Sequence, residues 1–134
     1  MPPSTLPCPC GRLRPFDDCC GPILVGGAAR TAEDLMRSRY TAYAIGDAEH
    51  LLSSWDPETR PAAVELDPAI RWRGLEIIET TAGNLLDATG TVEFIAHLSR
   101  DGRKHEQHER SRFRRHQGRW VYTDGDRDTN PASG

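Results

Sequence analysis

The sequence predicts an α+β fold in which N-terminal helices pack on one face of a curved antiparallel sheet of about four strands, preceded by a small cysteine-rich knuckle. Apolar residues recur at helical spacing between residues 31 and 55, and the period changes to two after residue 70. All four cysteines lie within residues 8–20. Because helical and strand segments are segregated along the 134 residues, the helices are expected to cover one side of the sheet.

Two helices are predicted ahead of the sheet. The hydroxyl of Thr31 can accept a hydrogen bond from the amide of Asp34, which starts the first helix, and Gly46 suits the residue just past its end. Asp47 can then cap a shorter second helix. The apolar stripe of the first helix is flanked by Arg37 and Arg39 and consists of Leu35, Met36, Tyr40 and Tyr43.

The predicted strands cover residues 70–80, 89–99, 104–115 and 119–123. Gly74 indicates a bulge or bend in the first of them. Asp101-Gly102 is the preferred chemistry of a two-residue type I′ hairpin between the second and third strands. Ahead of the sheet, a brief helical turn is predicted near Pro61.

The predicted domain organisation has one boundary, in a low-bulk stretch rich in glycine and alanine. Such a linker would let the knuckle sit at a variable angle on the main domain. The segments are a tail and knuckle at 1–21, the linker at 22–30, the α+β domain at 31–124 and a disordered tail at 125–134.

Charge and hydropathy exclude several classes of protein. The net charge is −3, and neither a membrane-spanning stretch nor a secretory signal is visible, so we expect a cytoplasmic protein without membrane insertion. The segment from His97 to Trp120 contains eight Arg and Lys but only three acids, so this basic hairpin could bind an anion such as RNA. Its period-2 pattern favours the simpler interpretation of a solvated strand face.

The cysteines carry the strongest chemical signal. Cys8 and Cys10 are separated by one residue, and eight residues later Cys19 and Cys20 are adjacent, so four thiolates can reach one tetrahedral ion. We predict one structural zinc ion, with disulfides or redox-active thiols as the alternatives. The basic side chains of Arg12 and Arg14 lie between the cysteine pairs and could meet an acidic partner surface.

A second candidate site is a pocket beneath the sheet. If Phe113 points inward, so do His105 and Glu109, which could do acid–base work or orient a small molecule. The simpler alternative is an internal ion pair between Arg37 or Arg39 and Glu93 or Glu109. Besides these candidates, the predicted lining consists of Arg37, Tyr40, Tyr43, Trp72, Glu93, Ser111 and Phe113. The remaining histidines, including His50, are predicted to be at the surface or in loops.

The knuckle resembles the SEC-C zinc motif, which also ends the bacterial SecA translocase, because Cys-Pro-Cys-Gly is followed after the same spacing by Cys-Cys-Gly. Further similarity extends over most of the chain, from about Cys8 to Asp124, and its segments include Leu35–Ala44, Gly90–Phe94 and Gly118–Trp120. The whole resembles the YchJ-like family of uncharacterised bacterial proteins. This resemblance implies a nuclear transport factor 2-like (NTF2-like) cone around a pocket, and it implies no established activity.

The expected function is a non-enzymatic zinc-binding adaptor that docks a protein through the knuckle. The resemblance to the SecA tail implies a chaperone, a translocase or the ribosome as the partner. The alternatives are a small-molecule binder or enzyme that uses the pocket of the cone, and RNA binding through the basic hairpin.

Overall fold

The structure is a computed structural model that describes residues 6–127. A 3-10 helix at Phe16–Asp18 leads into three α-helices and then four strands. The helices are α1 (Cys20–Leu24), α2 (Ala32–Ile45) and α3 (Ala48–Ser53), and the strands are β1 (Ile70–Ala82), β2 (Thr89–Arg100), β3 (Arg103–His116) and β4 (Arg119–Arg127). This order confirms the predicted α+β class.

The helix ends follow from local chemistry. Thr31 Oγ1 accepts from the amide of Asp34 at 3.0 Å, and Gly46 closes α2 with a φ of 86°. Asp47 caps α3 by accepting from the amide of His50 at 3.0 Å. These contacts confirm both predicted caps, and they fix where the chain turns between α2 and α3.

The strands form one antiparallel meander in the order β1-β2-β3-β4. The β2–β3 turn has positive φ at both Asp101 and Gly102, 53° and 77°, as a type I′ turn requires. The β1–β2 register shifts between Trp72 and Gly74, which confirms the bulge predicted there. Val92 and Phe94 of β2 are buried, so the alternate residues of this strand face the helices.

The knuckle and the sheet share one core. Cys8, Cys10, Phe16 and Cys20 belong to the same buried cluster as the apolar residues of α2 and the inner face of the sheet. Residues 22–24 of the predicted linker are helical as the end of α1, and α1 packs on α2. The knuckle therefore sits in a defined position against α2, unlike the variable-angle arrangement predicted from the low bulk of residues 22–30.

Two other segments differ from the prediction. No helical turn forms at Pro61; the turn closes earlier, where the amide of Arg60 donates to Asp56 O at 2.8 Å and the amide of Asp56 is held on β4 by Tyr122 O at 2.7 Å. Residues 125–127 belong to β4 rather than to a tail, and the rest of the predicted tail, like residues 1–5, lies outside the described residues. Among the helices of residues 6–127, none has the length and apolar character to cross a membrane.

Candidate functional site

The cysteines are brought together by a short hairpin and a helix start. The amide of Cys8 donates to Arg14 O at 3.0 Å, and the amide of Gly11 donates to Cys8 O at 3.2 Å in a turn where Gly11 has a φ of 93°. The 3-10 helix at Phe16–Asp18 then reverses the chain, so Cys19 and Cys20 at the start of α1 return to the first pair.

The four cysteine sulfurs lie within 4.8 Å of one another and could hold a metal ion. The Cys10 and Cys19 sulfurs are 3.6 Å apart, and the four cysteines are free thiols. Tetrahedral zinc–thiolate bonds of about 2.3 Å place neighbouring sulfurs about 3.8 Å apart, which fits this cluster. Because four protein ligands would fill the coordination sphere, the site has the chemistry of a structural centre.

Helix α2 supplies the hydrogen bonds around this cluster. Arg37 Nη1 donates to Cys10 O at 3.0 Å and lies 4.0 Å from Cys10 Sγ. One turn later, the Thr41 hydroxyl donates to Cys20 Sγ at 3.4 Å. A guanidinium and a hydroxyl beside the sulfurs offset part of the negative charge of a metal–thiolate centre and orient its ligands.

The pKa values of the cysteine thiols also favour a bound cation in the cluster. Hydrogen bonds from Cys10 and Cys20 lower the pKa of Cys8, whereas the pKa of Cys20 lies well above its usual range because it donates to Cys10 and Cys8. Burial raises the pKa of Cys19 to about 11. The cluster thus shares protons when it has no metal, and four thiolates can coexist when a divalent ion balances their charge.

The two arginines of the knuckle have different surroundings. Arg12 donates to Glu33 at 3.1 Å and to Asp34 at 2.5 Å, so it ties the knuckle to the first turn of α2. Arg14 is exposed, and between the two arginines Leu13 is 99% exposed. Of the two residues predicted to meet a partner, Arg14 is therefore placed to do so, while Arg12 is engaged within the chain.

A cavity of about 240 Å³ lies between α2 and the inner face of the sheet. The rings of Tyr40 and Tyr43 contact the ring of Trp72, with centroids 5.9 and 5.5 Å apart. Opposite them, Trp55 packs edge-on against Tyr122 at 5.2 Å. These aromatic residues and the apolar residues around them give the cavity largely apolar walls.

Two of the ionisable side chains that line the cavity belong to α2 and β3. Arg39 on α2 is 3% exposed, and its guanidinium lies 4.5 Å from the centroid of the Tyr122 ring. Glu109 on β3 accepts from Ser111 Oγ at 2.5 Å and from the Tyr122 hydroxyl at 3.3 Å. Burial lowers the pKa of Arg39 to about 10, so this guanidinium stays protonated at neutral pH.

The cavity contains part of the predicted lining. Tyr40, Tyr43, Trp72, Glu109 and Ser111 line it. The structure places the other predicted residues, Arg37, Glu93, His105 and Phe113, elsewhere.

Each of these four displacements has a physical reason. Helix α2 turns about 100° per residue, so Arg37 and Arg39 lie on nearly opposite sides of it. Glu93 alternates with inward-facing residues and instead bonds His108 Nε2 at 2.6 Å on the outer face. His105 pairs with Leu98 near the hairpin end of β3, and Phe113 is buried in the core against Tyr122.

Several arginines of the basic hairpin are paired with acids within the chain. Arg110 pairs with Glu93 at 3.2 Å, and Arg112 bridges to Asp124 and Asp126 across the strand pair. Arg114 makes two hydrogen bonds to Asp56, at 2.5 and 2.7 Å. These pairs occupy arginines that the sequence alone would leave available to an external anion.

Several important residues were missed by sequence reasoning. His50, predicted at the surface, is 7% exposed and bonds Ser38 Oγ at 2.9 Å. Trp55 lines the cavity, and Asp56 is 1% exposed at the centre of its pair with Arg114. Asp56 follows an aromatic residue near the end of a helix, which is a weak local signal. Its partner Arg114 is 58 residues away, so no local pattern reveals the pair.

Comparison with known proteins extends over most of the chain. A family model described as "YchJ, middle NTF2-like domain" matches residues 31–125. The UPF0225 protein SCO1677 of Streptomyces coelicolor is 53% identical over 123 residues, which cover 91% of this chain and 96% of that protein. The UPF0225 protein Mpe_A2093 of Methylibium petroleiphilum is 49% identical, with 98% of this chain and 95% of that protein covered.

Two solved structures are also similar. The solution structure of RPA3114, a SEC-C motif containing protein from Rhodopseudomonas palustris, has a TM-score of 0.79 and 36% identity, covering 90% of this chain and 98% of that one. The crystal structure of a SEC-C motif containing protein from Psychrobacter arcticus has a TM-score of 0.74 and 26% identity, covering 90% and 82%.

Proposed function

The chain belongs to the YchJ-like family, in which a SEC-C motif precedes an NTF2-like domain, and on that premise we propose that it is a zinc-stabilised adaptor that docks a protein partner through its knuckle. The observation that carries the proposal is the cluster of four cysteine sulfurs within 4.8 Å, beside a turn that presents an exposed leucine. The metal organises the turn, and the turn makes the contact.

Zinc is the ion that this ligand set favours. Four thiolates in a closed tetrahedral cluster suit a soft or borderline ion, and carboxylate-preferring ions such as magnesium and calcium do not compete for them. Arg37 and Thr41 donate to the cluster from one face of α2 and support the charge of bound thiolates. We expect one zinc ion per chain, held by Cys8, Cys10, Cys19 and Cys20.

The docking surface consists of Leu13 and Arg14. Arg12 is fixed on the acids of α2, and the hairpin bonds of Cys8 and Gly11 fix the other end of the turn. Leu13 is therefore presented to solvent from a backbone that has little freedom left to lose on binding. A partner with an apolar pocket bordered by an acidic side chain complements this pair of residues.

The metal part of the proposal is tested by elemental analysis of the purified chain and of Cys10→Ser. We expect about one zinc per wild-type chain and less than half of that in the variant, because three ligands leave the site open to water and chelators. A folded wild-type chain free of zinc and of any other bound metal would contradict the assignment.

The docking part is tested by comparing partners captured by three variants. Leu13→Ser and Arg14→Glu should each lose a protein that the wild type retains. Leu86→Ser is the matched control, because Leu86 is equally exposed at 99% but lies in the β1–β2 connection. Loss in the control as well, or retention in both knuckle variants, would exclude the knuckle turn as the docking surface.

A further inference from the structure

The cavity contains a buried cation that no carboxylate contacts directly. The Arg39 guanidinium is 3% exposed and donates only to neutral oxygens among residues 6–127, while the charge of Glu109 acts on it without a hydrogen bond. The buried carboxylate of Asp56, by contrast, is matched by two hydrogen bonds from Arg114. A buried charge without a direct counter-ion costs free energy, so its presence in a cavity wall needs a physical reason.

The hydrogen bonds of Arg39 leave part of its donor set unused. Nη1 donates to Leu51 O at 2.8 Å and to Ser54 Oγ at 2.7 Å, and these bonds hold the side chain against α3. Nε and Nη2 have no acceptor among the described residues. The guanidinium is therefore fixed in orientation, while N–H donors of a residue that lines the cavity remain open.

A second unused donor lies beside the first. Trp55 Nε1 is buried and has no hydrogen-bond partner within the part of the chain that the structure describes. The Arg39 guanidinium carbon is 4.9 Å from the centroid of the Trp55 ring, and both residues line the cavity. Trp55 Nε1 is shielded from the cavity, so the donors open to a ligand are those of Arg39, and their complement is a negatively charged group with acceptor oxygens.

The acids around the cavity are occupied or peripheral. Glu109 already accepts from Ser111, Tyr122 and Arg127. The other acids of the lining, Glu65 and Asp67, are both exposed, and Asp67 pairs with Arg100 at 3.2 Å. Because no unpaired carboxylate lies in the described interior, the open contacts favour an anionic ligand over a cationic one.

We propose that the cavity binds a small organic carboxylate, whose oxygens accept from Arg39 and whose apolar body packs against Tyr43 and Trp72. The volume of about 240 Å³ is below the roughly 300–1,000 Å³ of sites for drug-sized ligands, so the ligand is a compact acid. This activity goes beyond the docking function and depends on a different face of α2.

The test uses benzoate as the probe and the tryptophan indole N–H signals of the ¹⁵N-labelled zinc-loaded chain as the readout. The chain has three tryptophans, Trp55, Trp72 and Trp120. Trp120 is the internal control, because its Nε1 donates to Arg30 O at 3.3 Å and it does not line the cavity. We expect saturable shifts for Trp55 and Trp72, with the Trp120 signal unchanged.

Two ligands of similar shape separate charge from apolar packing. Benzamide lacks the negative charge, and protonated benzylamine reverses it, so both should bind at least about tenfold more weakly than benzoate. Equal binding of benzamide, stronger binding of benzylamine, or benzoate shifts that do not saturate would each overturn the proposal.

A cavity-filling variant tests the location without removing Arg39, whose substitution could unfold the domain. Gln107 lines the cavity and is half-buried, so Gln107→Phe fills space while the bonds of Arg39 remain. We expect a native spectrum with benzoate affinity reduced at least about tenfold. Unchanged affinity in a folded Gln107→Phe chain would place the benzoate elsewhere and overturn the assignment.

Discussion

Two arginines of α2, only two residues apart, serve regions of opposite character. Arg37 faces the cysteine cluster, where it pairs with Glu33 at 2.8 Å and with a knuckle carbonyl. Arg39 faces the cavity, where it has aromatic rings and two neutral oxygens but no carboxylate. On the knuckle face of α2 the guanidinium is matched by a carboxylate, whereas on the cavity face N–H donors of Arg39 have no acceptor among the described residues.

The largest effect is expected on the knuckle side, from Cys20→Ser. Cys20 is 1% exposed and belongs to the shared core, so loss of the metal removes support from α2 as well as from the knuckle. We expect a loss of more than about 5 kcal/mol, part of the roughly 10–16 kcal/mol that structural zinc contributes in small domains. Denaturant unfolding measures this, and an unchanged midpoint would show that the cluster contributes nothing to the domain.

The next effect concerns the ion pair between Asp56 and Arg114. Asp56→Ala removes the buried partner of Arg114 and the acceptor for Thr123, so we expect a loss of about 3 kcal/mol in the free energy of unfolding. Glu58→Ala is the matched control. Glu58 also contacts Arg114, at 3.2 Å, but its side chain is 80% exposed, and removing it should cost under about 1 kcal/mol. Equal losses of stability in Asp56→Ala and Glu58→Ala would contradict the prediction that the buried carboxylate contributes more than the exposed one.

His50, which lies near Arg39, is expected to make the stability of the domain depend on pH. Burial, followed by the positive charge of Arg39, lowers the pKa of His50 to about 4, although Asp47 opposes the shift. Between pH 6.5 and 4 the unfolded chain binds a proton there that the folded chain does not. The free energy of unfolding should therefore decrease as the pH is lowered through this window, by roughly 3 kcal/mol in all.

The control for this pH effect is His50→Gln, measured by thermal unfolding at several pH values. The variant should be less dependent on pH between 6.5 and 4.5, because glutamine does not titrate. Unfolding that depends on pH to the same extent in both chains would assign the effect to other groups.

The smallest effect is expected at Thr41, whose hydroxyl donates to Cys20 Sγ. Thr41→Val keeps the shape and removes the donor, so metal affinity should fall about 10-fold, at the low end of the effect of residues that support metal ligands. Competition with a zinc chelator measures the affinity. A Thr41→Val chain that binds zinc as tightly as the wild type would show that α2 does not tune the cluster.

Features set by neighbouring residues could be predicted from the sequence. Thr31 and Asp47 cap helices through amides three residues away, and Asp101-Gly102 determines a turn with its own backbone. The cysteine spacing likewise indicates a metal cluster without any knowledge of the domain. In each case the chemistry and the structure it produces lie close together in the chain.

Features set by distant contacts could not be predicted. The helical stripe places Arg37 and Arg39 on either side of the apolar face, but which of them meets the cavity depends on where the knuckle packs, more than 20 residues away. Trp55 reaches the cavity because it pairs with Tyr122 on β4. His50 is buried where it bonds Ser38 Oγ, although a serine of α2 would be expected at the surface. These contacts require the assembled core.

We propose that α2 joins a metal-bound knuckle on one face to a ligand cavity on the other as one cooperative unit. Hydrogen–deuterium exchange of the zinc-loaded chain, compared with the chain after chelation, tests this claim. We expect the amides of α2 to lose protection together with residues 8–24, because they share one core. Loss of protection confined to residues 8–24, with α2 unchanged, would show that the knuckle is an independent appendage and would contradict the claim.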